Sequence, residues 1–195
     1  MAARGQYPKG VAKREEILEV ALDLFARKGY DRTSVREIAR MTGLSQTGLL
    51  HHFSSKEELF TEVLRRRDAR NEQAYEERSG GKVTADAFAS IVGHNAREPG
   101  LVRLFVTLAA ESTDRDNPAH GFFEERYRRL RDSLASDVRD LQVSGEIAAD
   151  LDADSVAALL VAAADGLQIQ WLLSPGSTDM GGHLDALWSI VRRVR

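Results

Sequence analysis

The 195-residue chain contains no cysteine, which excludes disulfides, thiolate metal sites and cysteine nucleophiles, and which fits a reducing compartment. Proline is scarce: it stands at positions 8, 99, 118 and 175, and the last three fall at breaks between stretches of helical apolar spacing. No alternating run of β-branched residues is long enough for a strand. The opening Met-Ala-Ala-Arg-Gly-Gln-Tyr-Pro-Lys-Gly has no apolar centre of the kind a signal peptide needs. The longest apolar run, residues 156–164, is about half the ~20 residues of a spanning helix, so a cytoplasmic protein without a membrane partner is expected. The five histidines form no HExxH or closely spaced ligand pattern. Asp150-Leu-Asp-Ala-Asp154 begins like a calcium loop but has Ser155 in place of the sixth-position glycine and Val161 in place of the twelfth-position glutamate. GxSxG, GxGxxG and Walker patterns are missing as well, so no catalytic residues, metal or cofactor are expected.

The net charge of −3 conceals an asymmetry. Residues 1–70 carry 14 Lys and Arg against 10 Asp and Glu, while residues 71–195 carry 13 against 20. A basic end on an acidic body points to a polyanionic partner at that end.

Apolar spacing gives an all-α reading. A first helix over about 13–28 places Ile17, Leu18, Ala21, Leu24 and Phe25 on one stripe, with Arg27 and Lys28 at its negative end and Gly29 as the stop. Ser34-Val-Arg-Glu37 is a capping box that opens a second helix ending near Met41, with Gly43 in the turn. Ser45 caps a short third helix, and Ser55-Lys-Glu-Glu58 opens a fourth that runs towards Arg78. Gly80-Gly81 marks a joint. Further helices are expected near 84–97, 100–112, 118–143, 153–173 and 181–194.

Two turns of helix, a glycine-bearing turn and a second short helix make a helix-turn-helix over 34–53. Val35, Ile38, Ala39, Leu44, Leu49 and Phe53 would lock it on the first helix, leaving Gln46, Thr47, Leu50 and His51 outside, with His52 at the end. Gln46 can pair with adenine, and Thr47 can bond a base edge or touch a thymine methyl. Gly48 would allow close approach to DNA, Lys56 would neutralise a phosphate, and Thr33 and Ser34 could donate to phosphates from the start of the second helix.

The stretch Ser34-Val-Arg-Glu-Ile-Ala-Arg-Met-Thr-Gly-Leu-Ser-Gln-Thr-Gly-Leu-Leu-His-His-Phe-Ser-Ser-Lys-Glu-Glu-Leu59, with Ala-Leu-Asp-Leu-Phe-Ala-Arg-Lys-Gly-Tyr before it, resembles the amino-terminal domain of the TetR (tetracycline repressor) family. The resemblance covers about residues 14–62. It implies an all-α homodimer with a recognition helix at 45–51, where Ser45 belongs with the DNA-binding residues, and a body that responds to a small-molecule effector. The family usually carries tyrosine where this chain has Leu50, which removes one phosphate donor and leaves His51 or His52 to supply it. The implied division is a DNA-binding domain over 1–54 and a regulatory and dimerisation domain, a helical bundle, over 55–195.

In the body, residues 153–173 are apolar nearly all round, and the last helix adds a further apolar stripe, so self-association through these two helices is expected. The expected interface residues are Leu160, Leu167, Trp171, Leu184, Leu187, Trp188 and Val191. An aromatic-rich set, Phe105, Leu108, Phe122, Phe123 and Tyr127, with polar Glu111, Asp165 and Gln168, marks where a ligand pocket would lie or else forms ordinary core. The leading reading is thus a regulator of transcription, a repressor released from double-stranded, palindromic operator DNA by an effector. Two others stay open: a helical protein-interaction module without sequence-specific DNA binding, and a small all-α enzyme around Glu111 and Asp165, against which the lack of any paired acid–base spacing speaks.

Overall fold

The computed structural model describes residues 6–28, 32–79 and 83–193; the expected stop at Gly29 and the joint at Gly80-Gly81 lie outside them. Among the described residues all regular structure is helical, in the order α1 (Gln6–Lys28), α2 (Val35–Met41), α3 (Gln46–Leu50), α4 (Lys56–Ser79), α5 (Ala85–Asn95), α6 (Pro99–Glu111), α7 (His120–Val143), α8 (Ala153–Leu173) and α9 (Met180–Arg193). The helix α1 starts earlier than its apolar stripe announces. Pro8 sits in its first turn, where a backbone N–H has no intrahelical acceptor to lose.

Two compact units result, Met1–Ala69 with Glu98–His120, and Arg70–Arg97 with Gly121–Arg195. The boundary expected after residue 54 is therefore not where the units part. The physical reason is that Leu59, Phe60, Val63 and Leu64 of α4 and Leu101, Val102, Leu104, Phe105 and Leu108 of α6 are buried with Ile17, Leu18, Ala21, Leu24 and Phe25 of α1 in the first unit. Phe25 meets Phe60 edge to face at 4.9 Å, a geometry that contributes about 0.5–1.5 kcal/mol beyond area burial. At the start of α4, Ser55 Oγ accepts the Glu58 amide at 3.0 Å. The Glu58 carboxylate returns to the Ser54 amide and hydroxyl, each at 2.6 Å, and the hydroxyl bond holds this carboxyl below its ordinary range.

In the second unit the start of α5 is capped twice. Thr84 Oγ1 accepts the Ala87 amide at 3.2 Å, and the buried Asp137 of α7 accepts the Ala85 amide at 2.9 Å. At the start of α8, Asp152 accepts the Ser155 amide at 3.2 Å, as its place before an apolar run implies. This helix is long and apolar enough to cross a membrane by length and composition, which the uninterrupted run 156–164 understates. In the structure it lies against α9 and α5. A core helix of this kind passes the same test.

The helices α5 and α9 approach closely at two glycines. A Cβ built on Gly181 would stand 3.0 Å from the Gly93 Cα and 3.4 Å from the Ala89 carbonyl oxygen, so backbone meets backbone. Asp86 and Arg192 pair across the same two helices at 2.9 Å. Gly181→Ala is expected to destabilise the protein by about 1–3 kcal/mol in urea unfolding, the overpacking penalty exceeding the gain in helix propensity. Gly121→Ala, with open space around the new methyl group, should be neutral or stabilising by under about 1 kcal/mol. Equal effects at the two sites would refute the close contact.

Candidate nucleic-acid interface

The reader is assembled from two short helices and a tight turn. Ser34 caps α2 by accepting the Glu37 amide at 3.2 Å. The reciprocal half of the expected capping box is not made, because the Glu37 carboxylate pairs with Lys28 of α1 instead. The far end of α2 closes as a Schellman motif: Leu44 N–H donates to the Ala39 carbonyl at 2.8 Å, Gly43 N–H to Arg40 at 3.3 Å, and Gly43 takes φ +68. A side chain at Gly43 would be strained in that left-handed conformation. The Thr42 hydroxyl donates to the Ile38 carbonyl at 2.9 Å and is buried.

Ser45 caps α3 by accepting the Gly48 amide at 3.0 Å. A Cβ on Gly48 would stand 3.2 Å from that hydroxyl oxygen, so the glycine serves the cap as well as any approach to DNA. Leu49, wholly buried, and Phe53 fix the inner face, while Gln46, Thr47, Leu50 and His51 are exposed and His52 is half-buried. Leu50, 37% exposed, presents an aliphatic surface where a hydrogen-bond donor was the family expectation. Ser34, Ser45 and Lys56 are on the surface or near it, the Lys56 ammonium lying 5.2 Å from the Phe60 ring centre. Thr33 departs from expectation. It is 7% exposed and its hydroxyl donates to the Leu24 carbonyl at 3.4 Å, so this side chain is spent inside the fold and is not offered to a phosphate. Sequence reasoning missed Arg36 and Arg40, two exposed cations on α2. Their i, i+4 spacing on the face away from Val35, Ile38 and Ala39 was the available signal.

The expected aromatic set divides between the two units. In the first, Phe105 and Leu108 are core, and the Arg67 guanidinium lies 5.5 Å from the Phe105 ring centre and donates to the Leu101 carbonyl at 3.3 Å. Glu111 is exposed at the end of α6, where solvation is easy, so it lines no interior. In the second unit, buried Phe122 and Phe123 meet edge to face at 5.0 Å, and Tyr127 lies 6.3 Å from Phe123. The Tyr127 hydroxyl donates to Asp165 at 2.8 Å. Burial pushes the Asp165 carboxyl above its usual range, against the Tyr127 hydrogen bond and the Arg126 charge. Burial and the neighbouring Asp165 charge push the Tyr127 phenol up. Gln168 is buried, but its amide donates to Ala164 of its own helix at 3.3 Å.

Residues 17–63 match the family described as bacterial regulatory proteins, tetR family, and residues 84–193 match the carboxy-terminal domain of BetI-type transcriptional repressors. The chain belongs to the TetR family. It is a DNA-binding transcriptional regulator. Relatives of this TetR-family chain include the HTH-type transcriptional repressor AcnR of Corynebacterium diphtheriae, 31% identical over 86% of this chain and 84% of that protein. Another is the repressor KstR2 of Rhodococcus jostii, 29% identical over 60% of this chain, which spans about half of that relative (52%). Among solved structures, a transcriptional regulator from Saccharomonospora viridis in complex with choline is 28% identical with a TM-score of 0.70, covering 92% of this chain and 95% of that one. A TetR regulator from Haloarcula marismortui, at 14% identity and a TM-score of 0.75 over 94% of this chain and 98% of that one, shows the shared fold alone.

The apolar helices of the TetR-family chain carry their exposed residues elsewhere than expected. Leu160, Trp171, Leu184 and Trp188 are buried within the second unit, and Leu167, Leu187 and Val191 are half-buried. The outer face of α8 instead carries Leu159, Ala162, Gly166, Ile169 and Leu173, spaced by three and four, with Leu159 66% and Leu173 79% exposed; Ile190 is exposed on α9. On a helix apolar all round, periodicity alone cannot say which stripe faces the chain's own core.

Asp165 supplies a pH test. Its folded-state affinity for a proton is raised, so its contribution to stability is complete below the ordinary carboxylate value of 3.8 and is lost as pH rises through the raised value. Asp165→Asn, which keeps an acceptor for Tyr127, should therefore be more stable than the parent at pH 7, with the difference closing as pH falls through the raised value and closed below 3.8. Urea midpoints across pH 3–8 check this, and a constant difference over that range would count against it.

Proposed function

We propose that this TetR-family regulator is a homodimeric cytoplasmic repressor that reads a palindromic operator with α3 and leaves it when a small organic cation binds the second unit. Residues 1–54 act as the DNA-binding part and 55–195 as the regulatory and dimerisation part. The observation that carries the reading is the exposure of Gln46 and Thr47 side by side on a helix whose other face is anchored by Leu49 and Phe53. Ser45, Gly48, Leu50 and His51 share that surface with His52 at its edge, and Ser34, Arg36, Arg40 and Lys56 meet phosphates around it. Two readers must stand about 34–36 Å apart to enter successive major grooves, which a dimer supplies.

The dimer face is the outer stripe of α8, with Ile190 of α9 beside it. Leu159, Ala162, Gly166, Ile169 and Leu173 follow the three-four spacing of a helix–helix seam, with small residues at its middle for close approach. The effector class rests on Asp165 and Tyr127 beside Phe123: a carboxylate and aromatic faces are the groups that recognise a quaternary ammonium. The Saccharomonospora relative, solved with choline, supports the same class.

Selection of bound duplexes from a random pool should return a palindrome. Against that duplex, Gln46→Ala and Thr47→Ala should each lose about 1–3 kcal/mol of affinity with random-duplex binding unchanged, whereas Lys56→Ala should weaken both alike. Adding choline chloride should release the operator, relative to equal sodium chloride. Operator binding no tighter than random binding would end the reading, and indifference to choline would remove only the effector class. Ile169→Asp should convert the dimer to monomer in sedimentation equilibrium; a dimer that persists would place the interface on another surface.

A further inference from the structure

Two neighbouring cations of α1 direct their hydrogen bonds to the backbone of the helix-turn-helix. Lys13 Nζ donates to the Thr42 carbonyl at 2.6 Å, the C-cap of α2, and is steadied by Glu16 at 2.9 Å. Arg14 Nη1 donates to the His52 carbonyl, just past the C-cap of α3. Its guanidinium lies 4.1 Å from the centre of the buried Phe53 ring, and its Nη2 is 3.2 Å from Glu58 and 3.7 Å from Glu62 of α4. Consecutive residues thus hold the carbonyl ends of the two consecutive helices of the reader.

The chemistry suits the task. Carbonyls at a helix C-terminus carry partial negative charge and lack intrahelical donors, so a cation there both completes hydrogen bonds and opposes the charge. Helices of seven and five residues have little stability of their own, and what grips their ends sets how they are tilted. An exposed ion pair contributes little, about 0–1 kcal/mol. Arg14 is more than such a pair, because its planar group lies over Phe53 while its fixed fork of donors reaches a backbone carbonyl and two carboxylates, a geometry that a compact ammonium does not reproduce.

We infer that Lys13 and Arg14 form a clamp that sets the attitude of the recognition helix on α1. Arg14 is a positioning residue, acting on base recognition through His52 and Phe53 without touching DNA. The inference rests on α3 being the base reader. Base hydrogen bonds need exact placement, while attraction to phosphates does not, so loosening the clamp lowers specificity more than general affinity.

The test compares Arg14→Met, Arg14→Lys and Lys13→Met with Arg27→Met, which removes an exposed α1 cation paired only locally with Asp23 at 2.6 Å. Affinities for the selected duplex and a random duplex are measured, together with amide exchange at Gly48 and Leu49 in the free protein. Arg14→Met should lose about ten-fold or more for the selected duplex, the scale of one base contact. Its random-duplex affinity should stay within about two-fold of that of Arg27→Met. Exchange at Gly48 and Leu49 should rise in Arg14→Met and not in Arg27→Met. Arg14→Lys should lie nearer to Arg14→Met than to the parent, and Lys13→Met should show a smaller loss of the same kind. Equal losses on both duplexes, unchanged exchange in α3, or full recovery by lysine would overturn the clamp. Arg14→Lys keeps the charge and stem and carries the test where Arg14→Met does not fold. Exchange is read without DNA and decides the clamp even where the parent fails to separate the two duplexes, a failure that would count instead against the reader.

Discussion

A helix of five residues cannot hold itself together in water, and that constraint governs the amino-terminal unit. The helix α3 has one buried side chain, Leu49, so its existence is imposed from outside by the Ser45 cap, the Gly43 turn and the core built on α1. The stripe Ile17, Leu18, Ala21, Leu24 and Phe25 is the surface on which the unit condenses. Residues of α4 and α6 complete that core, which is why the compact unit does not end with the helix-turn-helix. Reading DNA and folding are thus supported by the same buried side chains, while the bases would meet only residues that contribute little to the core.

The second unit solves a different problem, that of a helix with two apolar faces. One stripe of α8, through Ala157, Leu160, Ala164, Gln168 and Trp171, belongs to the chain's own interior. The other, through Leu159, Ile169 and Leu173, remains on the surface at a cost in exposed apolar area that a partner of the same sequence would relieve. Asp165 lies between these demands, half-buried and answered by the Tyr127 phenol together with the Arg126 charge, which do not offset its burial.

Local chemistry was legible in the sequence wherever one residue type answers one backbone need. Ser34, Ser45 and Ser55 as caps, Gly43 as a left-handed stop and Asp152 before an apolar run all stand where their chemistry places them. The all-α class followed from the same signals, and the start of α1 was missed because a polar first turn carries no periodic signature. Choices made in three dimensions were not legible. Thr33 reads as an exposed donor until its hydroxyl is seen to turn inward to Leu24. Glu37 reads as half of a capping box until Lys28 claims it. The inner stripe of α8 was misjudged because Leu159 and Leu160 are chemically alike and only packing separates them. Lys13 and Arg14 give no signal at all as carbonyl donors, since their acceptors lie 29 and 38 residues away.

The contact between Gly93 and Gly181 bears on how the second unit can move. Helices that slide past one another in small shears do so through interleaved side chains that adjust their torsions slightly. Where main chain rests on main chain, that layer is missing. The pair α5 and α9, also joined by Asp86 and Arg192, lacks that adjustable layer at its crossing. Small shears within the unit are accommodated more readily where side chains interleave than at this crossing.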